Sequence, residues 1–208
     1  RGVGNILGTK QHGHMVNVGF DTYCQLLEET VQELQGQIVD KSDPTIVDIN
    51  VTAFIPDDWV GSSEQKMIEY KRLADVKSDI ELDYITEEWK DRFAKPSESV
   101  ENLIKLIKIR LAATDVKIPL IRETEDNIRI YTPFSQPEWK IIQRILPSEI
   151  LKRIKFTIAP KSCTEGKSIL LLNNSYMNFN EIFNILTDLF YYMFKTVNEY
   201  KIEKKETL

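Results

Sequence analysis

The spacing of apolar residues changes period several times along this chain, and that alternation limits what it can fold into. Ile46, Val47, Ile49, Val51, Ala53 and Phe54 form a β-prone run that ends at Pro56. Asp57-Asp58-Trp59 then opens a turn. Helical spacing follows, with Met67, Ile68 and Leu73 pointing inward from a helix over 63–76. Leu82, Ile85, Trp89 and Phe93 make a clean stripe on a helix over 80–93, broken by Pro96. Ser97 is placed to cap a third helix, with Val100, Leu103, Ile104, Ile107 and Leu111 on one face. The period returns to strand over 117–123 and 127–131, with Glu125-Asp126 near the turn. Short helices over 136–146 and 149–154, split by Pro147, precede a second strand pair over 156–159 and 169–172. Phe179, Ile182, Phe183, Leu186, Leu189, Phe190, Met193, Phe194 and Val197 form the wide apolar face of a last, long helix, whose charged end at 201–208 is expected to fray. The sum is an α+β domain: a small mixed or antiparallel sheet covered by helices, preceded by a loop and a long N-terminal helix.

The N-terminal segment differs in kind. Gly2, Gly4, Gly8, Gly13 and Gly19 are five of the chain's eight glycines, a density that calls for a shaped loop. Phe20, Tyr23, Cys24, Leu27, Val31 and Leu34 repeat at helical spacing after it, and Gly36 suits the stop. Residues 37–45 are polar, contain Asp43-Pro44 and read as a linker. Three parts result: 1–36, the linker 37–45, and a compact domain over 46–208. The chain opens Arg1-Gly2-Val3-Gly4, without an initiator Met or an apolar leader, so the natural N-terminus is expected upstream.

Bulk properties exclude several functions. The 208 residues suffice for one sizeable core. A net charge of −5 and a pI near 5.3 give no general attraction to phosphate backbones. Cys24 and Cys163 are the only cysteines, too few for a disulfide framework, and a reduced cytoplasmic protein is the simpler reading. No apolar run reaches the roughly 18 residues a membrane span needs.

Candidate chemical sites mostly dissolve on inspection. Glu165-Gly166-Lys167-Ser168 mimics the end of a phosphate-binding loop. The full pattern needs a Gly where Lys161 stands, and a helix where Ile169-Leu170-Leu171-Leu172 signals a strand, so a hairpin turn is expected. His12 and His14 are the only histidines, and a zinc site needs three or four ligands. Cys24 lies on the inward stripe of its helix, as a small core residue. Asn50-Val51-Thr52 and Asn173-Asn174-Ser175 match a glycosylation sequon that a cytosolic chain would not present to the machinery. The segment 78–92 says more. It sets Asp79, Glu81, Asp83, Glu87, Glu88 and Asp91 against Lys90 and Arg92. With Leu82, Ile85, Trp89 and Phe93 facing the core, Glu88 and Asp91 are expected to point outward, about one turn apart. Such a face is either simply solvated or a docking surface for arginines of another domain.

The opening residues are specific. Arg1-Gly2-Val3-Gly4-Asn5-Ile6-Leu7-Gly8, then Gln11-His12-Gly13, then Val18-Gly19-Phe20-Asp21-x-Tyr23-x-x-Leu26-Leu27-Glu28-Glu29 resemble the end of the motor in transcription-repair coupling factors. The Arg-Gly-x-Gly and Gln parts are shared with RecG-type branch-migrating helicases; the Val-Gly-Phe-Asp-x-Tyr continuation is more typical of the coupling factors. Ile55-Pro56-Asp57-Asp58-Trp59, Tyr70-Lys71-Arg72-Leu73-Ala74 and Asp91-Arg92-Phe93 resemble the coupling factors' C-terminal domain, which does not follow the motor in RecG. Ala94 stands where that family usually has Gly. The resemblance is strong over residues 1 to 112 and weakens after Ala113.

This resemblance implies a parent protein that is an ATP-dependent translocase on duplex DNA, with ATP and magnesium held in the motor and no cofactor in this fragment. The parent pushes stalled RNA polymerase off damaged DNA and recruits the repair protein UvrA. Arg1 and Gln11 match residues that couple hydrolysis to movement. Residues 46–208 match a regulatory, autoinhibitory domain that folds back on the UvrA-binding module of the same protein, with Glu88 and Asp91 at the masking contact. An alternative is the end of a RecG-like helicase that contacts DNA, which the acidic balance opposes. A third reading, an enzyme in its own right, lacks a catalytic cluster.

Overall fold

Apolar residues of five strands line up in one row. The computed structural model describes residues 45–206, with side chains described through residue 197. Its strands are β1 (Ile46–Asp48), β2 (Leu120–Glu123), β3 (Asn127–Thr132), β4 (Ile154–Ile158) and β5 (Ser168–Asn173). The sheet order is β1-β2-β3-β5-β4; β1 runs parallel to β2 and every other pair is antiparallel. The register sets Val47 beside Ile121, Ile121 beside Ile130, Ile130 beside Leu170, and Leu170 beside Phe156. Side chains alternate across a strand, so these five share one face.

Among the described residues, seven helices accompany the sheet. They are α1 (Asp57–Val60), α2 (Ser63–Asp75), α3 (Asp79–Arg92), α4 (Glu98–Asp115), α5 (Gln136–Gln143), α6 (Ser148–Leu151) and α7 (Phe179–Glu206). Their starts follow local chemistry. The Ser62 hydroxyl accepts from the Gln65 amide at 3.1 Å, and the Ser78 hydroxyl from the Glu81 amide at 3.3 Å. Gly61 ends α1 at φ +90°, where a side chain would be strained, and its amide donates to the Asp57 carbonyl.

Two cores meet at α4. Leu106, Ile109 and Ala113 pack with the apolar row of the sheet and with Ile182, Leu186, Leu189, Phe190 and Met193 of α7. Val100, Leu103, Ile107 and Leu111 pack instead with α2 and α3, around Tyr70, Leu73, Leu82, Ile85 and Trp89. The helix is therefore buried on two sides, not on the single face that its spacing predicts. Buried Arg110 lies between them, and its guanidinium donates to the Leu73 carbonyl at 3.0 Å.

Several sequence expectations are corrected. The run after Ile46 leaves the sheet at Asp48, because side chains take over its backbone groups. Glu123 accepts from the Asn50 amide, Asn102 donates to the Thr52 carbonyl, and the Tyr70 hydroxyl accepts from the Ile55 amide. These bonds strap residues 49–56 to the end of β2, to α4 and to α2. Asp57-Asp58-Trp59 is helical, and Ile154 begins a strand rather than ending a helix. The Ser97 hydroxyl bonds Ser99, and only the Ser97 carbonyl serves the helix start. Ile68 and Phe194 face outward.

The Gly166 segment lies where the sequence puts it, in the β4–β5 hairpin, and Ser168 opens β5. A Cβ on Gly166 would stand 2.8 Å from the Thr132 carbonyl oxygen, and the Lys167 amide donates to that same oxygen. Among the described residues no helix is long and apolar enough to cross a membrane.

Because α4 is common to both cores, they should unfold together. Trp59 and Trp89 report on the helical core, and Trp139 on the sheet core. Urea unfolding followed by fluorescence, once in Trp139→Phe and once in Trp59→Phe/Trp89→Phe, is expected to give transitions of one cooperative unit after correction for each variant's stability. Leu103→Ala should cost about 2–5 kcal/mol and lower the midpoint for both probes. A shift confined to one probe would show separable cores.

Candidate interaction surface

A carboxylate with no exposure sits at the junction of α2 and α3. The Glu69 side chain is 0% accessible. Its oxygens accept from Trp89 Nε1 at 2.9 Å, Gln65 Nε2 at 2.7 Å and Arg72 Nη1 at 2.9 Å, with Arg92 Nη1 at 3.4 Å. A buried carboxylate is tolerable only with this many donors around it. Arg72 turns its second edge to Glu88, donating from Nη2 at 2.6 Å and Nη1 at 3.1 Å. Arg92, one turn beyond Glu88 on α3, closes the ring by donating to Glu88 Oε1, which also accepts from Arg72 Nη1. Two carboxylates and two guanidinium groups thus clamp α2 to α3.

The clamp sets the charge state of Glu88. Hydrogen bonds from Arg72, then from Arg92, hold its carboxyl at about 2 against an ordinary 4.5. The same pairing raises the Arg72 pKa. Aromatic rings close one end. Trp59 meets Trp89 edge-on at 5.3 Å and Phe93 at 5.0 Å, its Nε1 donates to the Ala94 carbonyl, and the Arg92 guanidinium lies 4.9 Å over the Phe93 ring.

The two carboxylates singled out from sequence part company here. Asp91 is exposed and makes no salt bridge among the described residues. Glu88 is half-buried and bonded, not free on an outward face. Asp91 faces outward as expected; for Glu88, helix spacing identifies which face it occupies, not that Arg72 of the neighbouring helix reaches over it. Glu69 and both arginines were missed as a unit. Arg92 at i+4 from Glu88 and Arg72 at i+3 from Glu69 were available signals, but the pairing across helices was not. Arg1 and Gln11, with the loop and helix expected over 1–36 and with His12, His14 and Cys24, lie outside the described residues. Cys163 is half-buried, its thiol 3.3 Å from a Glu165 oxygen. Among the described residues no group of His, Cys, Asp and Glu could hold a metal ion.

Of the segments that carried the family resemblance, those within the described residues converge on this cluster: Ile55 and Trp59, Tyr70 and Arg72, Arg92 and Phe93. A five-stranded mixed sheet joined through one helix to such a clamped helical layer defines the class. Residues 49–140 match the family model of the TRCF domain, a match that extends past Ala113. The chain is homologous to transcription-repair-coupling factors. It is 33% identical to that of Bacillus subtilis over 131 residues, which is 62% of this chain and 11% of the relative. With that of Buchnera aphidicola it shares 32% over 203 residues, 91% of this chain and 24% of the relative. Against that of Borreliella burgdorferi the figure is 26% over 201 residues, 95% and 16%. The chain thus spans from about a tenth to a quarter of the length of these relatives. Its fold is similar to the crystal structure of the C-terminal domain of a transcription-repair coupling factor, with a TM-score of 0.60 at 15% identity, covering 74% of this chain and 93% of that one.

Two outcomes follow from the clamp. Glu69→Ala leaves the buried Trp89 indole without its acceptor and takes one of two carboxylates from Arg72 and Arg92, and chemical denaturation should show a loss of about 3–5 kcal/mol; Glu69→Gln, which keeps an acceptor, should lose less. Glu88 is held below its unfolded value, so its contribution is whole above about pH 4.5 and is lost as pH falls through about 2. The stability gap between the natural chain and Glu88→Gln is therefore expected to close over that window in acid titrations. A constant gap would mean that charge is not what Glu88 supplies.

Proposed function

We propose that this chain is the regulatory C-terminal part of a transcription-repair coupling factor and that its domain masks the UvrA-binding module of the same protein at rest. The parent would be the ATP-dependent DNA translocase that removes stalled RNA polymerase and recruits UvrA, with ATP and magnesium belonging to the motor. Arg1 and Gln11 would serve the coupling of hydrolysis to movement there. The domain itself would act by population shift. The docked state hides the UvrA site, and engagement of polymerase favours the undocked one.

The observation that carries this reading is the outer side of α3. Asp91 stands exposed beside Glu88, whose position is fixed by two arginines. A partner's guanidinium can pair with Asp91 without first disturbing the fold. Glu88 acts differently in this proposal: it holds Arg72 and Arg92 in place, so the surface is presented rigidly. This separates the two carboxylates as experimental handles. Reversing Glu88 breaks the clamp as well as any contact, whereas reversing Asp91 alters only the surface.

Asp91→Arg in the intact protein should therefore raise affinity for UvrA by about tenfold, the order of one lost interdomain ion pair, with an unchanged Tm. Affinity equal to that of the natural protein, measured by calorimetry, would remove Asp91 from the masking contact.

A further inference from the structure

The strand residues of the sheet core, Val47, Ile121, Ile128, Ile130, Leu170 and Leu172, all lie on one face of the sheet. The strand residues that alternate with them belong to neither core. On that second face the register sets Arg122 beside Arg129, Arg129 beside Leu171, and Leu171 beside Lys155. The row crosses four strands, on the order of 14 Å at the usual strand spacing. Arg122, Arg129 and Lys155 are exposed and Leu171 is half-buried. Arg153 and Lys167, also exposed, alternate onto the same face two residues before Lys155 and Ile169. The ladder reaches both, because the Asn173 amide donates to the Arg153 carbonyl and the Ala159 amide to the Lys167 carbonyl.

These cations are largely unspent. Arg129, Arg153, Lys155 and Lys167 make no salt bridge among the described residues. Arg122 pairs with Asp48 at 3.2 Å, and Asp48 is the one carboxylate that the described strands put on this face. Glu125 and Asp126 stand at its margin, in the β2–β3 turn. Like charges directly opposite on neighbouring strands, as Arg122 and Arg129 are, repel, and an anion held between them relieves the repulsion. The net charge of −5 conceals this distribution. Residues 127–173 carry eight Lys or Arg against three Asp or Glu, a net of +5 within an acidic chain.

A row of point charges on an open sheet suits a partner that is itself a row of anions. The only aromatic ring that the strands place on this face is Tyr131, which is half-buried, so unpaired bases find no stacking platform there. That leaves the phosphates of a duplex, which carries one negative charge per about 1.7 Å of its axis. We propose that this sheet face binds the backbone of duplex DNA without regard to sequence. The choice of DNA among polyanions rests on the translocase parent proposed above; the cationic face itself does not, and neither depends on masking.

The test is the fluorescence anisotropy of a short labelled duplex of arbitrary sequence, titrated with the whole chain at low salt. Binding is expected to weaken with salt, with a log–log slope of about −3 for three or four phosphate contacts. Arg129→Glu/Lys155→Glu should bind about tenfold more weakly or worse and flatten the slope by about two. Lys71→Glu/Lys77→Glu makes the same change in net charge at exposed residues of the helical layer and should bind like the natural chain. Tm should hold in both variants. No binding by the natural chain, or an equal loss in the two variants, would overturn the proposal. Competition by polyglutamate as strong as that by unlabelled duplex would overturn it too, and would assign the face to an acidic protein segment.

Discussion

Burial of α4 on two sides is the constraint on which the rest of the molecule depends. One side closes the sheet core with α7, and the other closes the helical core with α2 and α3. A helix in this position cannot rotate to suit one partner without exposing apolar area to the other, at about 25 cal/mol per Å². Polar groups at the seam reinforce the arrangement. Arg110 donates to the end of α2, and Asn102 to the strap over residues 49–56. The sheet thereby fixes where the helical layer stands.

Within that layer the Glu69 clamp converts an electrostatic liability into rigidity. An isolated buried carboxylate would be costly; surrounded by an indole, an amide and two guanidinium groups, it locks α2 against α3. The outer surface of α3 inherits this order. Asp91, Ile80 and Tyr84 stand exposed on this braced helix. Glu88, which spacing places on the outer face, also braces Arg72 and Arg92, while Ile80 and Tyr84 stand exposed on the same helix.

Much of the fold was legible in the residues, and the misses share a cause. The stripe Leu82, Ile85, Trp89 is buried as its period requires, the hairpin at Gly166 lies where Ile169–Leu172 indicates, and the four strands after α4 lie close to their expected positions. Period and turn chemistry are local, so sequence suffices for them. Ile68 faces out because Glu69 and Tyr70 claim the inner side of α2, and nothing within that helix announces that a carboxylate would be its buried residue. The strand after Ile46 stops early because Glu123, Asn102 and Tyr70, distant in the chain, satisfy its backbone.

The residues alone therefore determined the class of fold, the order of its elements and the acidic character of α3, since each follows from spacing and composition within a short window. Tertiary structure decided which carboxylate is spent inside and which faces solvent, because a charge's role depends on the neighbours that reach it. It also decided that α4 has two inner sides, and that Ile80 and Tyr84 have none. Those outcomes depend on how helices stand against one another, which no single helix encodes.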